Sequence, residues 1–348
     1  MAFDLKRLSE LNGVAGCESE VREYILSELD GRCDDISVDA LGNITAYKKG
    51  RDSSRKLLIG TNMDEVGLIA DSITDKGYIK FKAVGAIDAR MLISKRVEIA
   101  RSGASGVIGM KAVHLTTKKE RETAVKIQDL YIDIGAKNKK TAEMFVKKGD
   151  YIAFDTRFMS LGDSIKGKAL GRFGVVALMD AIVCEPAYDT YFVFSTQRET
   201  VAMPSGRGMM TAAYRIQPDY AVIIDTLSSD DTYRSERCSA KLGKGAVIEY
   251  IDKTSIADTK FTAAIAAFAE SKGIMTQCKT ASSSASITGA VTASARGAVA
   301  ACVGIPCRYA RTPVNIMNVN DIDAASKLCR AVVTESDVII NGIAQKTN

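Results

Sequence analysis

Two stretches of helix–strand alternation flank a middle stretch that has none, and this interruption restricts the fold more than any composition figure. Residues 18–30 carry Val21, Tyr24, Ile25 and Leu29 at helical spacing. Ile36 and Val38, then Ile44, Ala46 and Tyr47, flank Leu41-Gly42-Asn43 and predict a hairpin. The run Leu57-Leu58-Ile59 predicts a buried strand over 56–60, ending at Thr61-Asn62-Met63-Asp64-Glu65. From about 67 to 165 the character changes. Short β-prone pieces at 66–70, 78–84, 96–100, 106–110, 130–134 and 151–154 are separated by turns, which predicts a small barrel or sandwich. After Gly167 the alternation resumes, with helices expected over 173–184, 208–216, 258–272 and 321–343 and strands over 191–196, 220–225 and 299–303.

Alternating strands and helices imply a largely parallel sheet covered on both faces. The expected fold class is therefore α/β, with residues 1–66 and 166–348 forming one discontinuous α/β domain and 67–165 an inserted β-barrel domain. A chain of 348 residues is long enough for two such units. The net charge of +5, from 47 Lys plus Arg against 42 Asp plus Glu, is spread along the chain. The cluster at 137–140 reads as a solvated loop, so no nucleic-acid groove is expected. The start, Met1-Ala2-Phe3-Asp4-Leu5-Lys6, lacks a signal-peptide pattern. No run of about 18 apolar residues occurs, so neither a membrane span nor a non-cytoplasmic location is expected. Cysteines at 17, 33, 184, 238, 278, 302, 307 and 329 form no C-x-x-C pair. They read as reduced, mostly buried thiols.

In an open α/β sheet, ligands bind beyond the carboxyl ends of the strands. Three such ends carry polar groups here: Asn62 with Asp64, Arg198 with Glu199, and Asp225. Each alone has an ordinary explanation, since Asp and Asn favour turns and charged loop residues are usually solvated. Their recurrence along one edge points to a present or former site. The chain has a single histidine, His114. It falls in the middle stretch, away from that edge, and reads as a packed or hydrogen-bonded structural residue.

Ordered motifs make the comparison specific. They are Thr61-Asn62-Met63-Asp64-Glu65-Val66-Gly67, Val84-Gly85-Ala86, Leu130-Tyr131-Ile132-Asp133-Ile134-Gly135-Ala136, Lys148-Gly149-Asp150, Gly167-Lys168-Ala169-Leu170, Gln197-Arg198-Glu199, Pro218-Asp219 after 211–216, Leu242-Gly243-Lys244-Gly245 and the segment P-C-R-Y-A-R-T-P at 306–313. In this order they resemble the tetrahedral (TET) type aminopeptidases, the glutamyl and deblocking aminopeptidases with two metal ions, over nearly the whole chain. The first resembles that family's A-H-M-D-E-(I or V)-G, the fifth its G-K-A-L-D-D-R, the sixth its Q-E-E and the last its P-x-R-Y-x-H-S-P.

The resemblance implies two divalent ions, zinc or cobalt, about 3.5–4 Å apart and activating a water between them. It implies two His, a bridging Asp, a Glu and an Asp as ligands, and a second Glu as general base. Carried over by position, the first His is Asn62, and the Asp that orients it is Asp64. The bridging Asp falls at Gly171, in a segment one residue shorter than the pattern. The base is Arg198, which stays protonated and accepts no proton. The Glu and Asp ligands are Glu199 and Asp225, and the second His is Arg311. A segment resembling G-G-T-D is replaced by the stretch around Ser282-Ser283-Ser284, and about four extra residues near Met203-Pro204-Ser205-Gly206 follow Glu199. With suitable ligand types only at Glu199 and Asp225, no metal cofactor is expected. Arginines at 198 and 311, with Arg172 as a further candidate, are expected to pair with Asp64, Glu199 and Asp225, which repel one another without metal.

Two functions stay open on the sequence. One is an inactive binding or scaffold subunit in a homo-oligomer, from a dimer through the inserted domain to a dodecamer, or mixed with an active paralogue, with a peptide or small anion as ligand. The other is a hydrolase with altered or residual activity. Residual activity would be metal-dependent; altered chemistry would draw its nucleophile from elsewhere near the former site, where Cys302, Cys307 and Ser282-Ser283-Ser284 lie, an arginine-rich pocket lowering a thiol pKa in the absence of a nearby histidine base.

Overall fold

The computed structural model describes residues 4–200, 206–229, 231–232, 240–280 and 285–345. Eight strands form the main sheet, in the spatial order Asp35–Val38, Ile44–Lys48, Tyr188–Ser195, Asp52–Asn62, Tyr220–Ser228, Val299–Cys307, Ala246–Glu249 and Thr276–Lys279. The four strands from Tyr188–Ser195 to Val299–Cys307 run parallel, and antiparallel pairs lie outside them. The mostly parallel sheet expected from the alternation is present. Its central strands have no solvent face, which is why residues 57–62 are all buried and read as an apolar run instead of an alternation.

Helices cover both faces. On one side Gly174–Ala181, Thr259–Ser271 and Val319–Gln345 pack on the sheet through residues such as Val175, Phe261 and Leu328. On the other, Arg207–Ile216 and Thr288–Thr292 bury Met209, Ala213 and Val291. Among the described residues, no helix is long and apolar enough to cross a membrane.

The middle stretch closes into a six-stranded barrel, ordered Gly67–Ile73, Ile79–Val84, Tyr131–Asp133, Ser105–Gly109, Arg96–Ile99 and Tyr151–Phe154. Leu68, Phe81, Val97, Ile108, Ile132 and Ile152 fill it. Each predicted β piece supplies one strand, because alternation marks a wall with one face on a core and one on water. A third sheet of Met159–Leu161, Ser164–Gly167 and Asn315–Asn318 joins the end of the barrel segment to the chain near residue 315.

Two expectations need correction. His114 lies on a short turn, Val113–Leu115, and is exposed, so it is not a packed residue. The described cysteines are all free, but only Cys302, Cys307 and Cys329 are buried; Cys278 is exposed and Cys17, Cys33 and Cys184 are intermediate. Cys238 lies outside the described residues.

Candidate functional site

The loops that follow the four parallel strands converge at one edge of the sheet. Asn62 is the last residue of its strand, and Asp64 and Glu65 follow it. Arg198 and Glu199 follow Tyr188–Ser195, whose Ser195 is in register with Asn62. Asp225 lies three residues before the end of Tyr220–Ser228, deeper than the strand end expected for it. The loop after Val299–Cys307 delivers Arg311, which adopts a left-handed backbone (φ 61°), as does Tyr309 (φ 58°). Gly171 sits on the turn Leu170–Arg172, and its carbonyl accepts a hydrogen bond from Thr226 Oγ1 at 3.0 Å.

Arg198 organises this edge. Its guanidinium is 7% exposed. Nη2 lies 2.9 Å from Asp225 Oδ1, Nε donates to Asp225 Oδ2 at 3.4 Å, and Nη1 pairs with Glu199 Oε1. Arg311 Nε is 3.1 Å from Glu199 Oε2. Asp225 also accepts from the backbone N–H groups of Thr226 (2.7 Å) and Ile287 (3.2 Å). Two buried carboxylates thus share one buried guanidinium, and a second guanidinium closes the outer side. Burial opposes the charge on Arg198, yet Asp225 and then Glu199 override it and hold the side chain firmly protonated. Burial likewise works against the Glu199 carboxylate, but Arg198 and Arg311 outweigh it and keep its pKa below the usual range.

Asp64 is not part of that ion-pair chain. Its Oδ2 accepts from the Glu199 N–H at 2.7 Å, while Oδ1 is buried with no hydrogen-bond partner. Burial, and then the charge of Glu18, push its pKa up to about 7. Asn62 Nδ2 donates to the backbone oxygen of Asp64 at 3.0 Å, and Asn62 Oδ1 is a second buried oxygen without a partner.

Arg172 differs from the expectation. It is fully buried and pairs with Glu65, Nη2 to Oε1 at 2.9 Å, and Nη1 donates to the Leu11 carbonyl at 3.0 Å. It therefore ties the turn at 170–172 to the N-terminal segment and leaves Glu199 and Asp225 to the other two arginines. Glu65 and Arg172 escaped the sequence reading as a pair, although a charged residue inside Leu170-Gly171-Arg172-Phe173-Gly174-Val175 was a signal of buried pairing.

The thiol alternative also meets a physical obstacle. Cys302 and Cys307 are buried. Burial, with the negative charges of Glu249 and Asp225, drives the Cys302 thiol well above its ordinary value; burial takes Cys307 to about 12. Both point away from thiolate chemistry. Residues 203–205 and Ser282, Ser283 and Ser284 lie outside the described residues.

A cavity of about 30 Å³ opens between this edge and the barrel mouth, lined by Asp64, Gly171, Glu199, Arg311 and Lys168, with Val66 and Phe154 on the barrel side. Gly85 of the barrel also approaches: a Cβ there would lie 3.4 Å from the Glu199 Cβ.

The model of the M42 glutamyl aminopeptidases matches residues 42–328. The chain belongs to the M42 glutamyl aminopeptidase family. A putative aminopeptidase of Acetivibrio thermocellus is 33% identical over 330 residues, 94% of this chain and 96% of the relative. Among solved structures, an aminopeptidase from the archaeon Desulfurococcus kamchatkensis is similar with a TM-score of 0.89 and 30% identity, covering 95% of this chain and 93% of its own. The TET1 peptidase of Pyrococcus horikoshii, which can assemble into a tetrahedron or a large octahedral shell, gives 0.84 and 31%, over 95% and 98% of the two chains. The M42 assignment fits the sheet, the barrel and the order of the motifs read from the sequence, and the cavity of this M42 protein lies where the sheet-edge rule expects a site.

Proposed function

We propose that this M42 protein keeps the family scaffold with a charge-paired, metal-free centre, and serves as a binding or scaffold subunit without hydrolysing peptide bonds. The observation that carries this reading is Arg198, held between Glu199 and Asp225 with Arg311 beyond it. Two divalent ions do not fit that donor set. The two carboxylates already have cationic partners, the positions expected for imidazoles hold Asn62 and Arg311, and Gly171 offers no side chain although a Cβ there would meet nothing within 4 Å. A divalent ion about 4 Å from a guanidinium is repelled by about 8 kcal/mol at an effective dielectric near 20. A proton acceptor is also lacking at position 198, since guanidinium holds its proton at any physiological pH.

The division into an α/β unit, 1–66 with 166–348, and an inserted unit, 67–165, belongs to the same proposal, with the inserted barrel as the dimer contact. Assembly into larger shells is proposed by analogy with the Pyrococcus horikoshii protein. A second reading, an aminopeptidase with altered or residual metal-dependent activity, is favoured by the family match and by relatives described as aminopeptidases. One experiment separates the two. The protein is saturated with zinc or cobalt, desalted and analysed for bound metal. Fewer than about 0.1 ions per chain is the outcome expected here; two tightly held ions per chain would falsify the metal-free reading and support the aminopeptidase.

A further inference from the structure

Lys168 is a buried lysine with no directly paired acid among the described residues. It is 5% exposed and lines the cavity beside Arg311. Its Nζ donates to Asn12 Oδ1 at 2.6 Å, a neutral amide, and it makes no ion pair among the described residues. A buried, unpaired charge costs several kcal/mol, so a fold that keeps one normally supplies a counter-charge.

Arg311 is only partly committed. Its one acidic partner is Glu199, which is already held by Arg198. Its Nη2 reaches the Ala285 carbonyl at 3.5 Å, a weak bond, and Nη1 has no partner among the described residues. The side chain is 29% exposed, so its free edge is reachable from solvent.

The acids lining the cavity leave these two side chains short of direct partners. Glu65 is paired with Arg172 and Glu199 with Arg198. Lys168 reaches an acid only through Asn12, whose Nδ2 donates to Glu98 Oε1 at 2.9 Å, and Arg311 meets only Glu199, which it shares with Arg198. The available space, about 30 Å³, is about twice the minimum that holds one water, enough for a head group of a few atoms and too little for an amino-acid residue.

We propose that the cavity between Lys168 and Arg311 binds the carboxylate or phosphate group of a small anionic molecule. The planar fork of Arg311 suits either group, and the ammonium of Lys168 supplies a second charge-assisted donor. The inference rests on the metal-free reading above and deepens it by naming the class of ligand.

The test is calorimetric titration of the full-length protein, treated with EDTA and desalted, at low ionic strength. The probes are inorganic phosphate and acetate, a minimal carboxylate, so their relative strength distinguishes the two head groups. Wild-type protein is expected to bind at least one, and Lys168→Met or Arg311→Gln to weaken that binding ten-fold or more. Silence from both probes at 50 mM, or variants that bind as wild type does, overturns the proposal. If the neutral variants do not fold, Arg311→Lys keeps a cation beside Glu199 and still has to weaken the carboxylate probe several-fold, because lysine lacks the fork; unchanged binding overturns the role of Arg311. The two readings fail separately. Two tightly held metal ions overturn the metal-free centre, whereas a metal-free protein silent to both probes overturns only the anion site.

Discussion

At the scale of single residues, Arg198 decides the character of the site. Its guanidinium touches both Glu199 and Asp225, and all three are buried. Removing one partner of a buried ion pair leaves an uncompensated charge and typically costs about 3–5 kcal/mol. Arg198→Ala is therefore expected to lower unfolding stability by that amount at pH 7, read from urea denaturation. The loss is expected to shrink in acid. Glu199 has a depressed folded-state pKa, so its contribution is present above its unfolded value near 4.3 and disappears as pH falls through the folded value. A variant as stable as the wild type at pH 7 would mean that the carboxylates have other partners. Arg311→Ala is expected to cost less, because Arg311 is partly exposed and Glu199 keeps Arg198.

At the scale of elements, the site depends on how closely the helix Gly174–Ala181 abuts the central strand. A Cβ at Gly174 would lie 2.1 Å from Thr61 Oγ1 and 2.7 Å from the Ile224 carbonyl. Both neighbours belong to the strands that carry Asn62 and Asp225. Gly174→Ala is expected to destabilise by about 1–3 kcal/mol through overpacking, measured as a lower unfolding midpoint; a neutral result would show that the helix can move away from the sheet. The elements legible in the sequence were those with a strong period or a continuous apolar run. All six barrel strands and the long closing helix belong to this group. The strands Ala246–Glu249 and Thr276–Lys279 escaped notice. The first has four residues, all buried, and the second reads T-Q-C-K with no alternation. Met159–Leu161 is exposed at all three positions and leaves no burial signal. Of the site, the pairing of Arg198 and Arg311 with Glu199 was readable from charge balance at matched motif positions. The pairing of Arg172 with Glu65 and the isolation of Lys168 were not, because they depend on how the N-terminal segment, with Asn12 and Leu11, folds back over the turn.

At the scale of the whole molecule, the near-absence of histidine changes what sets its response to pH. His114 is exposed and belongs to neither cluster of buried charge. Among the described residues, two buried acids are pushed up to near neutrality: Asp64 at about 7, and Glu249, raised to about 7 by burial against the pull of Lys279. A carboxyl whose folded pKa is raised contributes stability that is fully present below its unfolded value near 4 and lost as pH rises through the folded value. Stability is thus expected to decline between about pH 4 and 7 and to level off above it. Asp64→Asn keeps an oxygen for the Glu199 N–H and removes one titrating group, so its urea midpoint should fall less steeply over that range. An identical slope in both proteins would assign the decline to other groups.

On the metal-free reading proposed above, the bridge made by Arg198 would also change what the cell has to provide. A centre built around imported ions is complete only after loading; it can be stripped by a chelator, filled with the wrong element or left empty under starvation. A cation supplied by the polypeptide arrives in fixed stoichiometry with every copy synthesised. Under the proposed metal-free reading, the interior of this protein would be finished when the chain folds, and its maturation would be insulated from the zinc or cobalt supply on which a two-ion enzyme depends.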